Sequence, residues 1–307
     1  MISFFPAEPK VNFMGMRMWT YIISLALAAF AVIIFVFRGF NMGIDFTGGT
    51  LIQIHLENDA DISRVRAAAA AAGLYNPEIQ NFGEKHEFVI KYRESREPEE
   101  VVTAMERTLG SGVRMDRNEK VGPRIGAELR QQAILALAAG LLLMMVYIWI
   151  RFNFWFGLAA MLALFHDVTI TMGIYAALGL EVTSSTIAAV LTIVGYSIND
   201  SIVISDRIRE LMKNEEESQM DFKKMFKLYN LAINSTLSRT SITGSTTLMV
   251  LVAILFLAGP MIFDFALALT IGIIIGTYSS IFVVAALVLD MKGHRKRKVG
   301  SAEPKKA

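Results

Sequence analysis

Six stretches of about 20 mostly apolar residues recur along this chain, and a bilayer core about 30 Å thick is the environment that such runs fit. They lie at about 18–37, 130–150, 157–178, 184–205, 236–258 and 265–289. With 54% hydrophobic and 19% charged residues and a mean hydropathy of +0.46, the chain is too apolar for an ordinary soluble domain. The first run follows Arg17 without a small-residue cleavage pattern, so it reads as a retained span and not as a signal peptide. GLEVTS (179–184) and GPMIFD (259–264) split neighbouring runs, the second through the helix breakers Gly259 and Pro260. No cysteine is present, which excludes a disulfide framework and a thiolate metal site.

Lysine and arginine set an orientation. The tail 290–307 with KGHRKRK (292–298), segment 206–235 with Arg207, Arg209, Lys213, Lys223, Lys224 and Lys227, the N-terminal stretch 1–17, and Arg151 all fall on one side if six spans alternate. That side is expected to be cytoplasmic, with both termini, in a bacterial inner membrane. The turns 179–184 and 259–264 carry neither Lys nor Arg. The tail after Lys292 reads as a disordered basic extension near anionic lipid, and 213–235 as an amphipathic helix lying on the inner face.

Between the first and second spans, residues 38–129 form a polar insert on the outer side. Its periodicities read strand (50–56), helix (62–73), strand (78–82), strand (87–92), helix (98–109) and strand (112–121). The order βαββαβ predicts a ferredoxin-like α+β domain inserted after the first helix of an α-helical membrane protein. That fold hosts many functions and names none.

Function has to come from polar residues inside the spans. VGYSINDSIV (194–203) places Asn199 and Asp200 in a membrane helix, beside Thr192 and Tyr196 and opposite the apolar stripe Val190, Val194, Ile198 and Ile202. A carboxylate in hydrocarbon costs several kcal/mol unless it is protonated or paired. With helix ends near Asp206 and Ile233, Asp200 and Arg239 both lie about 9 Å deep on sequential helices, so a proton-switched ion pair is expected, with Thr243 one turn on. The other reading is a static pair that holds the bundle together. His166 and Asp167, midway along the third span, fit either a proton relay or polar glue. One His and two Asp are too few for a metal site in the spans; His55, His86 and His294 lie outside them, and no metal or cofactor is expected. Gly272 and Gly276 in IGIIIG permit close helix approach. GIDFTGGT, with Gly43, Asp45, Thr47, Gly48 and Gly49, precedes a strand, so a tight turn coupling the first span to the outer domain is expected in place of a phosphate cradle. Gly122, Pro123 and Gly126 form the matching turn before the second span.

Taken together, GIDFTGGT (43–50), VGPRIGAEL (121–129), LFHDV (164–168), VGYSINDSIVISDRIRE (194–210), TLSRT (236–240) and IGTYSSIF (275–282) resemble the SecF half of the SecD–SecF protein-export family, related to resistance–nodulation–division transporters. The resemblance implies a non-enzymatic subunit that works with SecD beside the SecYEG channel, with YajC and YidC as further partners, and uses the proton-motive force to draw preproteins outward. Lipid is its surroundings and no nucleic acid is implied. The family's proton-pathway aspartate falls on Asp200, its arginine on Arg239 and a threonine on Thr243. Glu215, Glu216 and Glu217 stand where family members tend to be basic. Three rival readings are half of a small-molecule or lipid exporter of the same superfamily, an intramembrane aspartyl hydrolase using Asp167 and Asp200, and a scaffold that only stabilises SecD.

Overall fold

A computed structural model describes residues 10–81, 86–110, 112–213 and 220–300, without the side chains of 260, 261 and 294–300. Glu215, Glu216 and Glu217 lie outside the described residues. In chain order the elements are α1 (Arg17–Arg38), β1 (Asn41–Met42), α2 (Ile44–Thr47), β2 (Gly49–Leu56), α3 (Ile62–Ala71), β3 (Glu78–Asn81), β4 (Glu87–Tyr92), α4 (Pro98–Leu109), β5 (Val113–Val121), α5 (Pro123–Arg151), α6 (Phe154–Leu178), β6 (Glu181–Val182), α7 (Ser184–Met212), α8 (Phe222–Leu257) and α9 (Pro260–Ser279). A π-turn (Ser280–Val284) and α10 (Ala285–Gly300) follow.

Among the described residues, six helical stretches are long and apolar enough to cross a bilayer: Met14–Arg38, α5, α6, α7, α8 and Ile262–Gly293. Helices α6, α7 and the last stretch form the buried centre, while α1, α5 and α8 leave broad apolar faces uncovered. α1 lies on α6, where a Cβ added to Gly173 would sit 2.2 Å from the Ala31 Cβ. α9 runs along α7 through Gly272 and Gly276, whose added Cβ atoms would meet Ile193 at 2.1 Å and Ser197 at 3.0 Å. Small residues bring these backbones together because side-chain bulk is what otherwise separates helices in lipid.

Two features depart from the sequence reading. Residues 222–235 do not form a separate helix lying on the inner face; they are the first turns of one 36-residue helix, α8. Val11 and Met14 in the N-terminal segment hydrogen-bond Asn234 and Asn230, so this amphipathic stretch covers protein and needs no membrane surface. The tail is also not irregular after Lys292, since helical backbone continues to Gly300. Extending a formed helix by one residue fixes few dihedrals per hydrogen bond gained, so basic residues can follow a membrane helix in helical form.

Between α1 and α5 stands a four-stranded antiparallel sheet in the order β3-β4-β2-β5. On β2 the residues Ile52, Ile54 and Leu56 are buried and alternate with partly exposed ones, as period-2 patterning requires. With Phe88 and Ile90 of β4 they pack on Val65 and Ala68 of α3 and Val101 and Met105 of α4. The opposite face, with Leu51, Gln53 and Lys91, borders a cleft shared with Glu181, Thr183 and Asp264 at the end of the bundle.

Candidate functional site

Asp167 and Asp200 lie in the same helix bundle with opposite surroundings. Asp167 is fully buried. Its Oδ2 accepts from Ser197 Oγ of α7 and Ser279 Oγ of α9, both at 2.7 Å, and its Oδ1 is 2.9 Å from His166 Nδ1. One carboxylate therefore joins three helices, and the backbone widens into the π-turn just after Ser279. Asp200 is 3% exposed, yet makes no hydrogen bond or ion pair among the described residues, and its Oδ2 is buried without a partner. Tyr196 Oη, Thr240 Oγ1 and Thr277 Oγ1 are likewise buried and unpartnered. Tyr196 Oη and Thr277 Oγ1 converge on Gly244, 3.9 and 3.4 Å from where its Cβ would stand. These atoms form a polar seam where α7, α8 and α9 meet.

Arg239 is the charged group whose field reaches Asp200, but the expected ion pair is not formed: Arg239 is exposed and has no ion-pair partner among the described residues. The helix ends assumed from sequence explain the difference, since α7 continues to Met212 and α8 begins at Phe222. The Arg207 Nε to Ser235 Oγ hydrogen bond, 3.1 Å, fixes the register of the two helices. Counting back along antiparallel helices sets Asp200 level with residue 242, so Arg239 stands about 4.5 Å lower. Side chains lean toward their own helix N-terminus, so on antiparallel helices these two lean apart. Thr243 donates to the Arg239 carbonyl at 2.9 Å. Asn199 is exposed and not part of the seam, and His166 Nε2 is buried without a partner.

At the other end of α7 the sheet domain is fastened to the bundle. GIDFTGGT folds into the short helix α2 and its flanks. Gly43 N donates to Val182 O at 3.0 Å, and β1 pairs with β6 in parallel. Asp45 Oδ2 accepts from Ser184 N at 2.8 Å, the first residue of α7, which Thr183 and Thr186 also cap reciprocally. Thr47 Oγ1 bonds back to the Gly43 carbonyl. Gly48 takes φ +76°, and any Cβ there would press 3.0 Å from Pro123. A Cβ added at Gly126 of α5 would likewise stand 3.0 Å from the Gly48 nitrogen, and Gly122 leads into Pro123 at the helix start. Gly49 opens β2.

Lys91 of β4 pairs with Glu181 of β6, both largely buried. Burial lowers the affinity of Lys91 for its proton, but the Glu181 carboxylate outweighs this and raises its pKa. Burial likewise raises the pKa of Glu181, and contacts from Glu78 and Lys91 bring it below the usual carboxylate value. Glu78 of β3 faces Glu181, and burial followed by that neighbour pushes its pKa up to about 7. Asp200, Asp167, the glycine turns, and Tyr196 and Ser197 beside Asp200 were visible in the sequence. Ser279 and Thr277 as their polar partners were not, nor were the Asp45–Ser184 and Lys91–Glu181 links. Hydroxyl residues at one-turn spacing on α7 and α9 were the available signal for the first group; the links join residues too far apart in sequence to leave one.

The family model described as "Protein export membrane protein SecD/SecF, C-terminal" matches residues 101–294, and "SecD/SecF GG Motif" matches 33–60. "Protein translocase subunit SecF" of Desulfurispirillum indicum is 41% identical over 91% of this chain and 91% of its own length. That of Escherichia coli O157:H7 is 37% identical over 91% of this chain and 87% of its own. The crystal structure of SecDF from Thermus, a translocon-associated membrane protein, superposes with a TM-score of 0.82 at 42% identity, covering 94% of this chain and 39% of the larger one. A multi-pass membrane protein by its six apolar helices and by these relatives, the chain belongs to the SecD/SecF family of protein-export membrane proteins.

Proposed function

We propose that this chain is a protein-export subunit that works beside a SecD-type partner at the SecYEG channel and converts the proton-motive force into movement of its sheet domain. Asp200 is the switch. The observation that carries this reading is its buried Oδ2 without a hydrogen-bond donor, in the field of an Arg239 that does not touch it. A carboxylate so placed exchanges its proton at lower structural cost than Asp167, whose oxygens are already held by three side chains. Deprotonation draws Arg239 and Asp200 together, protonation releases them, and α7 shifts against α8. Thr243, on the Arg239 turn, and the His166–Asp167 pair support the seam.

Movement reaches the sheet domain through the far end of α7. Ser184 lies 16 residues from Asp200, about 24 Å along the helix, and is hydrogen-bonded to Asp45 in the glycine-rich turn. The sheet domain is read as ferredoxin-like, supported by its strand order and by both helices packing on one face, and as extracytoplasmic from the distribution of Lys and Arg. Lys and Arg at the opposite end support a cytoplasmic side there, in the inner membrane. One proton crossing roughly 150 mV releases about 3.5 kcal/mol, enough to bias such a shift and too little to move a whole preprotein, so many cycles act on each chain.

Asp200→Asn in membrane vesicles tests the reading. Export that depends on the proton gradient should be lost while the partner still co-purifies. Gradient-stimulated export at the wild-type rate in that variant would reject the scheme. An aspartyl hydrolase is disfavoured because both Asp167 oxygens are engaged, Oδ1 by His166 and Oδ2 by Ser197 and Ser279, and not turned to a water shared with Asp200.

A further inference from the structure

Away from the membrane seam, His55 at the end of β2 and Glu87 at the start of β4 are cross-strand register partners. The His55 Nδ1 to Glu87 Oε1 distance is 3.5 Å, too long for a hydrogen bond, and Nδ1 is buried without a donor or acceptor. His86 immediately precedes β4, and its ring stands edge-on to that of His55 with centroids 4.6 Å apart. One ring nitrogen of each histidine and a Glu87 oxygen lie within 4.8 Å of one another. Asp59, in the link between β2 and α3, adds a carboxylate oxygen 3.6 Å from His86 Nδ1. From these contacts we infer that His55, His86, Glu87 and Asp59 form a binding site for a divalent transition-metal ion of the zinc type.

The distances support that chemistry. A tetrahedral ion with bonds of about 2.0–2.1 Å separates its ligand atoms by about 3.3 Å, and two of the measured separations, 3.5 and 3.6 Å, are within a few tenths of that edge. All three central side chains are part-exposed, so an ion can enter and the looser contacts can close. Two imidazoles select zinc, nickel, cobalt or copper over magnesium and calcium, which prefer oxygen donors alone. Arg114, opposite His55 on β5, is the cation nearest in register, and it is taken up by Asp116 at 2.7 Å, the residue beside the β-bulge at Gln53/Ile54. Residues 55 and 86 are too far apart in sequence to form a recognisable metal motif, which is why no metal was expected from the sequence. The site lies at the end of β2 opposite Gly49 and the turn that fastens the domain, so the ion ties the β2–α3 link to β4 at the far end of the sheet. This inference does not depend on the proton-switch proposal.

The full chain, purified in detergent and stripped with chelator, tests it using zinc alone and cobalt as a spectroscopic substitute. One zinc per chain, visible cobalt bands of a four-coordinate site and a zinc-dependent rise in melting temperature are expected. H55A and H86A should each weaken zinc binding by more than the roughly 10–100-fold attached to loss of an outer-shell partner. E87Q should weaken it while leaving the melting temperature in chelator unchanged, which separates metal loss from misfolding. Zinc affinity unchanged in the H55A/H86A double variant, or wild type that takes up no stoichiometric zinc, would overturn the assignment.

Discussion

Replacing Gly272 with alanine tests whether the α7–α9 contact is set by steric fit. The new Cβ would stand 2.1, 2.4 and 2.9 Å from Cδ1, Cγ1 and Cγ2 of Ile193, against about 3.5–4.0 Å for carbon atoms in comfortable contact. Ile193 is 1% exposed among Tyr175, Leu269 and Ile273, and a β-branched side chain in a helix has one favoured rotamer. It cannot swing aside, so the helices must part by about 1–1.5 Å. Overpacking of this kind costs about 1–3 kcal/mol, offset by the near 1 kcal/mol that alanine gains over glycine in a helix. Ile193→Ala alone should cost about 2–5 kcal/mol through the space it leaves. Combined, the added methyl enters that space, and the double variant should be more stable than the sum of the singles by about 1–3 kcal/mol. Thermal unfolding in a single detergent reads all four proteins. Additivity within about 0.5 kcal/mol would refute the claim that these two residues set the helix spacing.

Lys91→Met should strand the largely buried Glu181 and loosen the sheet domain by about 3–5 kcal/mol, visible as faster proteolysis between domain and bundle. Glu78 gives a pH signature: its folded pKa, about 7, lies above its unfolded value, so its contribution is full at low pH and is lost as pH rises toward and through 7. Glu78→Gln should flatten that dependence, and an unchanged pH profile of domain docking would count against a Glu78 carboxyl held protonated by burial beside Glu181. Asp45→Ala removes an acceptor from the first N–H of α7, worth about 0.5–2 kcal/mol, and should speed hydrogen exchange in that turn alone. Ser197→Ala and Ser279→Ala each remove a hydrogen bond to the Asp167 carboxylate, worth about 1.5–3 kcal/mol, measured by unfolding in detergent.

The six runs were legible because bilayer thickness dictates their length, and β2 because one face of the strand is buried while the next residue is not. The glycines at 43, 48, 49, 122 and 126 were readable as turns, but their joint role was not. Asp45 reaches a backbone nitrogen 139 residues away, and no local period encodes such a contact. The Asp200–Arg239 pairing was inferred from guessed helix ends. Helix ends are weakly determined where polar residues continue an established helix, and a few residues of error moved Arg239 one turn out of level with its supposed partner. His55 and Glu87 were visible as strand residues, whereas their alignment required the sheet register.

In the proposed proton-driven scheme the two membrane carboxylates have different parts. A carboxylate satisfied by donors from other helices resists movement, because sliding any one helix strands a buried polar atom at about 1–3 kcal/mol. Asp167 is such a lock, holding α6, α7 and α9 at one level through Ser197 and Ser279. Asp200 is three residues beyond Ser197 on the same α7, in the field of Arg239 of α8 and with no donor, so in the proposed scheme a change in its charge acts on the α7–α8 contact while Asp167 holds the α6–α7–α9 contact. The predicted motion is therefore a displacement of α8 relative to a unit in which α6, α7 and α9 move together, with Asp45 transmitting the tilt of that unit to the sheet domain. A crosslink between α7 and α9 should leave gradient-driven export intact, while one between α7 and α8 near Arg207 and Ser235 should stop it. Equal inhibition by both would mean that Asp167 is no lock and that the helices move independently.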